Sequence, residues 1–307
     1  MFTVTNSRVV HLLIAVASFA VSTSAPAQQI AFTWDDLPAH SALPPGETRV
    51  DIGHKLIAAM QAEHMPLVYG FINGVQLDRE PDSAPMLKDW RDAGYLLGNH
   101  TWSHMNLNSM DLIDWEADLR KNEPILDKYA AGADWRWLRY PFLAEGDTPE
   151  KRTDVRKFLA DRGYRIAAVT MSFGDYMWNE PYARCVAKND TAAIAQLESG
   201  YLRAASDDAD FRRAMAKALF GHDIPYVLLM HVGAFDARML PRLLKLYREK
   251  GFTFVTLEDA ENDPFYASSI DPSLPDQPDS LEGAMDARHL TPPTRPKLDP
   301  DPNLLCH

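Results

Sequence analysis

The chain has 307 residues, with 31 Lys and Arg against 43 Asp and Glu, which gives a formal net charge of −12 at pH 7. This acidic balance argues against nucleic acid or polyphosphate as a partner, because both are polyanions. After residue 27 no segment is apolar for long enough to span a bilayer, so we expect no stable membrane insertion.

Residues 1–27 have the features of a secretory signal peptide. Arg8 and His11 lie in a short polar region, Leu12 to Val21 form an apolar stretch, and Ala25-Pro26-Ala27 offers small residues for cleavage. A short membrane anchor is the alternative, although the apolar stretch is too short to cross a bilayer. We therefore predict export to the periplasm or the medium, which leaves residues 28–307 for one large domain.

Seven short apolar runs predict β-strands, and amphipathic patterns between them predict helices. The predicted strands are Ile30–Trp34, Leu67–Phe71, Tyr95–Gly98, Trp135–Arg139, Arg165–Met171, Tyr226–Met230 and Phe252–Thr256. One helical pattern runs from Ile52 to Met60, another begins at Thr148 as N-cap with Pro149 in the first turn, and a third presents Leu240, Leu243, Leu244 and Tyr247 on one face.

The alternation of strand and helix predicts an α/β fold with parallel strands and right-handed crossovers. Gly94, Gly163 and Gly251 each stand where a helix should end before a strand. Seven such units favour a distorted (β/α)7 barrel over an open doubly wound sheet.

Two regions interrupt the alternation. Residues 179–222 predict a helical insertion, with one helix near Thr191–Ala204 and a second near Asp208–Phe220. Residues 261–307 hold nine of the 22 prolines and show little periodicity, which predicts an irregular extension that wraps the domain surface or is partly disordered. The catalytic domain is thus expected over residues 28–260.

The chain has two cysteines, Cys185 and Cys306, and no CxxC pair, so they do not form a zinc knuckle. In an exported protein the two thiols either pair or stay free, and their spacing does not decide between these states.

Adjacent carboxylates and a histidine pair predict a metal centre. Asp35 and Asp36 end the first predicted strand, and such neighbours repel unless a cation or a shared proton relieves them. His100 and His104 stand four positions apart after the third strand. One Asp and two His leave coordination positions open, as in hydrolytic zinc sites, and the second Asp is free to act as a base. The same donors suit the iron of non-haem oxygenases, but those have an all-β fold that this chain lacks.

Other candidate site residues follow the later strands, where an α/β barrel builds its active site. They are Arg139 to Phe142 after the fourth strand, Asp175 and Trp178 after the fifth, and His231 after the sixth. A serine hydrolase is disfavoured because the chain has no G-x-S-x-G motif.

From Phe32 to about Glu258 the chain resembles the polysaccharide deacetylases of the NodB-homology type, carbohydrate esterase family 4. Four segments match the motifs TFDD, H-[ST]-x-x-H, R-x-P-[FY] and a late histidine after a leucine-rich strand. They are Thr33-Trp34-Asp35-Asp36, His100-Thr101-Trp102-Ser103-His104, Arg139-Tyr140-Pro141-Phe142 and Leu228-Leu229-Met230-His231. Trp34 stands where the family has Phe, and Asp175 and Trp178 match a further motif at looser spacing.

The resemblance implies a role for each site residue. Asp36, His100 and His104 would bind one divalent metal ion, with zinc favoured and Co²⁺ or another divalent ion as alternatives. Asp35 would be the general base and Arg139 would pair with it, while His231 would be the acid, oriented by Asp175. The backbone N–H of Phe142 would stabilise the oxyanion, and Trp178 and Leu229 would line the pocket for the acetyl methyl group.

The implied activity is metal-dependent hydrolysis of amide C–N bonds other than peptide bonds, removing acetyl groups from N-acetylated polysaccharides or oligosaccharides. Two alternatives remain open: a relative that hydrolyses a small non-sugar amide, and a sugar-binding protein without catalysis. His40, His54, His64, His222 and His289 are interpreted as surface or structural residues.

Overall fold

All seven predicted strands form in the computed structural model, although their bounds differ from the predicted ones. They are β1 Gln28–Leu37, β2 Tyr69–Ile72, β3 Leu96–Asn99, β4 Trp137–Leu138, β5 Arg165–Ile166, β6 Tyr226–His231 and β7 Phe252–Phe254. The structure describes residues 1, 28–38 and 40–307. The predicted signal peptide, apart from its first residue, lies outside the described residues.

The strands form one curled parallel sheet in the order β5-β4-β3-β2-β1-β6, and β7 pairs with the start of β1. An isolated parallel bridge between Met171 and Leu228 joins the segment after β5 to β6. The two ends of the sheet therefore meet, and the prediction of a distorted (β/α)7 barrel is confirmed. In the register of β1 and β6, Asp35 lies beside His231, which brings two predicted site residues together.

The helices of the described chain follow the strands as predicted. They are α1 Arg49–Ala62, α2 Val75–Arg79, α3 Pro85–Asp92, α4 Leu112–Tyr129, α5 Pro149–Asp161, α6 Asn179–Ala187, α7 Thr191–Phe220, α8 Ala234–Glu249, α9 Leu257–Glu261, α10 Ala267–Ile270 and α11 Leu281–Ala287. Thr148 caps α5 as predicted, since its side chain accepts a hydrogen bond from the Lys151 N–H. None of these helices is both long and apolar enough to cross a membrane.

The core lies between the sheet and the helices packed around it. Leu240, Leu243, Leu244 and Tyr247 of α8 are fully buried, which agrees with their predicted common face. Trp34 on β1 is also fully buried. The aromatic residue that replaces the usual Phe thus belongs to the core.

Two of the differences in element bounds have a clear physical cause. Strand β5 ends at Ile166 and not at Met171, because the carbonyl groups of Ala167 and Ala168 accept hydrogen bonds from the Arg139 side chain. The insertion contains α6, which was not predicted, and one 30-residue helix, α7, where a break was expected between Ala204 and Asp208. The helix continues because Asp208 is satisfied there by Arg212, one turn later, at 3.1 Å.

The extension after residue 260 packs against the domain, which is one of the two predicted alternatives, and it contains the short helices α10 and α11. Tyr266, Leu281 and Met285 in this segment are buried. Cys306 forms a disulfide with Cys185 on α6, with the two Cα atoms 5.1 Å apart. The cross-link closes a loop between residues separated by 121 positions.

We expect the denatured, unreduced protein to show close to zero free thiols and two after reduction. The chain-entropy model gives such a long loop at most about 5 kcal/mol of stabilisation, so Cys306→Ser should lower the unfolding temperature. Thiol titration and non-reducing gels, which exclude an intermolecular bond, provide the measurement. Two reactive thiols before reduction would contradict the pairing.

Candidate metal centre and active site

Seven of the ten predicted site residues line one cavity of about 420 Å³ at the carboxyl ends of the strands. The lining residues are Asp35, Asp36, His40, His100, His104, Tyr140, Phe142, Leu143, Ser172, Tyr176, Leu229 and His231. They come from segments that the barrel brings together, so the cavity exists only in the folded domain.

Three side chains in this cavity could hold a metal ion. One donor atom from each of Asp36, His100 and His104 lies within 4.8 Å of the others. Asp36 Oδ1 is 3.6 Å from Nε2 of both histidines, which is too long for a hydrogen bond. Ligands about 2.0–2.2 Å from one tetrahedral zinc ion lie about 3.3–3.6 Å apart. The spacing therefore fits a shared ion.

The hydrogen bonding of His100 also fits a metal ligand. Its Nδ1 lies 2.7 Å from the carbonyl oxygen of Arg139. Because a carbonyl can only accept, Nδ1 must carry the proton, and Nε2 is left with a free lone pair in the neutral ring. An outer hydrogen bond of this kind is usual for histidines that bind metals.

Several backbone positions at the site adopt the left-handed conformation without being glycine. Asp36, Thr101, His104 and Phe142 have φ angles of 63°, 58°, 59° and 58°. Such conformations cost free energy and cluster at functional sites, where the surrounding structure imposes them. Here they direct the side chains of two predicted ligands toward the cavity.

The ionisation of the ligands favours cation binding. Burial raises the pKa of Asp36. The hydrogen bond from His40 and the charges of the nearby histidines outweigh this effect, and together they hold the pKa well below its usual range. Burial, followed by the charge of His100, lowers the pKa of His104 to about 4. At neutral pH Asp36 is thus a carboxylate and His104 is neutral, the forms that bind metals.

Asp35 and Arg139 form a buried ion pair beside this triad. Arg139 Nη1 is 3.2 and 3.3 Å from the two carboxylate oxygens of Asp35, and both residues are almost fully buried. Arg139 Nη2 also donates to Thr33 Oγ1 at 2.9 Å. The guanidinium group is thus held in one orientation, and it fixes Asp35 in turn.

His231, which lines the same cavity, forms a second pair with Asp175. His231 Nδ1 lies 3.0 Å from Asp175 Oδ1, and the His231 backbone N–H donates to Asp175 Oδ2 at 2.6 Å. Burial lowers the pKa of His231, but the charge and hydrogen bond of Asp175 and the charges of Asp36 and Asp35 raise it to about 10. The imidazole is therefore protonated at neutral pH in the metal-free protein.

The expected pocket walls are found only in part. Leu229 lines the cavity, and Phe142 stands at its mouth with its side chain 64% exposed. Trp178 does not line the cavity as expected, because its fully buried ring packs on Phe235 and Tyr201 instead. The exposed Tyr176 lies at the rim instead.

His40 is a site residue that the sequence reasoning missed. It was interpreted as surface or structural, yet it lines the cavity and its Nδ1 lies 2.7 Å from Asp36 Oδ2. Its position four residues after Asp36, in the loop that leaves the end of β1, was the signal available in the sequence.

Comparison with known proteins identifies the family of the chain and a curated relative. The sequence model of the polysaccharide deacetylase family matches residues 22–181, which is just over half of the chain. A chitin deacetylase of Arthroderma benhamiae is 26% identical over 106 residues. That match covers 34% of this chain and 27% of the relative, so the chain spans about a quarter of the relative's length.

Solved structures with a similar fold include three proteins of low sequence identity. The CE4 domain of a multidomain xylanase from the hindgut metagenome of Trinervitermes trinervoides is 12% identical, with a TM-score of 0.52 over 84% of this chain and 99% of that one. A CE4 family pseudoenzyme from Bacillus anthracis is 14% identical, with a TM-score of 0.52 over 76% and 66%. A polysaccharide deacetylase from Bacillus cereus is 19% identical, with a TM-score of 0.50 over 75% and 91%. At these identities the likeness concerns the fold alone.

Replacing Asp175 by Asn should lower the pKa of His231 by about 1–3 pH units, because the paired negative charge is lost. NMR titration of the imidazole in the metal-free protein measures this, with a wild-type pKa of about 10 expected. Asp89→Asn, which removes the carboxylate partner of the distant His54, is the control and should leave His231 unchanged. An unaltered His231 pKa in Asp175→Asn would contradict the pairing.

Proposed function

Since this chain belongs to the polysaccharide deacetylase family, we propose that it is a metal-dependent hydrolase that removes acetyl groups from N-acetylated sugars. The observation that supports this most is the arrangement around the cavity. A three-ligand set shares the cavity with a carboxylate paired with arginine and a histidine paired with aspartate. These are the groups that amide hydrolysis requires: a metal site, a base and an acid.

Asp36, His100 and His104 would hold the metal ion. A divalent ion bound there would lower the pKa of a water molecule and polarise the acetyl carbonyl group. Zinc is the favoured ion, because one carboxylate and two imidazoles with open positions are typical of hydrolytic zinc sites.

Asp35 would accept the proton of the attacking water. Its Oδ2 lies 3.6 Å from Nε2 of His100, so the carboxylate faces the metal ligands, and Arg139 donates a hydrogen bond to the same carboxylate. The backbone N–H of Phe142, presented after Pro141 at the cavity mouth, would stabilise the oxyanion. Phe142 has the left-handed φ described above, which turns its side chain and the following backbone relative to this amide.

His231 would donate a proton to the amine as the C–N bond breaks. The charge and hydrogen bond of Asp175 raise the pKa of His231 and favour the protonated ring, which can then act as an acid, and Asp175 orients the ring so that Nε2 faces the cavity. Acetate and a free amino sugar are the products. Leu229 would contact the acetyl methyl group, and the exposed rings of Phe142 and Tyr176 would contact the sugar.

We also propose that the protein works outside the cytoplasm. The signal-like sequence of residues 1–27 and the disulfide between Cys185 and Cys306 support this, because disulfides persist in oxidising compartments. Its substrate would then be an extracytoplasmic acetylated carbohydrate.

The purified protein should bind about one divalent ion per chain and release acetate when it is incubated with N-acetylated sugars. A screen over chitooligosaccharides, peptidoglycan fragments, acetylated xylan and simple amides distinguishes a sugar deacetylase from an amidase for small substrates. His104→Ala should lose most of the metal, measured by elemental analysis, together with the activity. Metal content that is undiminished in both His100→Ala and His104→Ala would exclude the ligand assignment.

Asp35→Asn should keep the metal and the fold but lose about 10²–10⁴-fold in rate, the range for a lost general base. The wild-type and variant proteins are compared by acetate release at saturating metal. Near-normal turnover in this variant would rule out Asp35 as the base.

His231→Ala should reduce hydrolysis of acetamido sugars far more than hydrolysis of an activated aryl acetate, because only the amine leaving group needs a proton. The ratio of the two rates in the variant and in wild type is the measurement. Equal losses on both substrates would show that His231 acts through structure and not as an acid.

A further inference from the structure

We propose that His40 is a positioning residue, which engages one carboxylate oxygen of Asp36 in a hydrogen bond and leaves the other oxygen for the metal ion. Its Nδ1–H holds Oδ2, so that Oδ1 alone is directed at His100 and His104. This inference rests on the metal site of the proposed function, and it adds a residue that none of the matched motifs contains.

The distances around Asp36 carry the proposal. His40 Nδ1 lies 2.7 Å from Asp36 Oδ2, a short charge-assisted hydrogen bond. The other oxygen, Oδ1, is 3.6 Å from Nε2 of both His100 and His104. Because a carboxylate only accepts hydrogen bonds, the proton must reside on Nδ1 of His40. One oxygen is thus occupied by a donor, and the other is free for a cation.

His40 is itself held by contacts that do not involve Asp36. Its backbone N–H donates to the carbonyl of Val232 at 3.2 Å, and its carbonyl accepts from Arg49 Nη1 at 2.9 Å. Arg49 is fixed in turn by two hydrogen bonds of 2.9 Å to Glu80. The donor is therefore placed in advance, and Asp36 does not have to order it.

The ring of His40 also packs at the cavity wall. Its centroid is 4.7 Å from that of His231 and 6.4 Å from that of Tyr176. These neighbours limit the rotation of the imidazole and keep Nδ1 turned toward Asp36. The metal ligand Asp36, His40 and the proposed acid His231 therefore form one continuous wall of side chains.

A pair of variants of similar shape separates the hydrogen bond from the packing. In His40→Asn the side-chain amide can replace Nδ1–H, whereas His40→Leu has nearly the same shape and no donor. His40→Leu should bind Zn²⁺ about 10- to 100-fold more weakly, the usual effect of losing a partner of a metal ligand. His40→Asn should stay close to wild type. Competition with a chromophoric chelator gives the affinities, and the visible spectrum of the Co²⁺-loaded protein should change in His40→Leu only.

The matched control is His54→Leu, which removes another histidine bonded to a carboxylate, Asp89, at 2.9 Å on the exposed face of α1. It should leave the affinity for Zn²⁺ unchanged. If wild type binds and His40→Leu binds equally well, or if His40→Asn is as weak as His40→Leu, the inference is overturned while the proposed function stands. If wild type binds no metal ion, the proposed metal site fails first and the inference fails with it.

A measurement on the wild-type protein covers the case in which His40→Leu does not fold. In ¹⁵N-labelled, Zn²⁺-loaded protein the Nδ1 resonance of His40 should have the chemical shift of a protonated ring nitrogen. His40→Asn assigns the signal by its disappearance. An unprotonated Nδ1 would overturn the proposal, because His40 could then donate no hydrogen bond to Asp36.

Discussion

The buried guanidinium group of Arg139 holds the site together. It pairs with Asp35, donates to Thr33, and bonds the carbonyl groups of Ala167 and Ala168, while its own carbonyl fixes the ring of His100. One residue thus ties together the ends of β1, β3 and β4 and the segment after β5. A charge buried this deeply is costly unless it is paired, so the surrounding backbone has to supply acceptors. That requirement is met in part by the carbonyl groups of Ala167 and Ala168, directly after β5.

The same requirement for paired polar groups extends across the cavity. Three functional side chains each have a partner that fixes one atom and leaves another atom free. Nδ1 of His100 is hydrogen-bonded to the carbonyl of Arg139, and Nδ1 of His231 is hydrogen-bonded to Asp175. Oδ2 of Asp36 accepts a hydrogen bond from His40. The free atoms all face the cavity. The polar partners and the left-handed backbone of Asp36 and His104 therefore act together to aim them.

The sequence predicted those features that depend on local pattern. Alternating strands and helices, the glycines at helix ends, and polar residues at strand ends were sufficient for the barrel and for the convergence of Asp36, His100 and His104. Trp178 was misplaced, because spacing along a loop does not tell which side of the chain faces the cavity. His40 was missed, because the role of a lone histidine depends on its partner, here Asp36, and the sequence does not show which groups folding brings together. The break expected before Asp208 was wrong, because its partner Arg212 lies within the same helix.

The position of β1 in the sheet has a consequence for how the chain folds. This strand comes first in the described domain, yet it pairs with β2 and β6 and, at its start, with β7. The hydrogen bond from Thr33 to Leu228 joins residues 195 positions apart. Contacts of such separation carry a large loop-closure entropy and form late in folding. Until residues beyond 225 are available, the strand that bears both aspartates has one open edge, which is a surface suited to chaperone binding or aggregation.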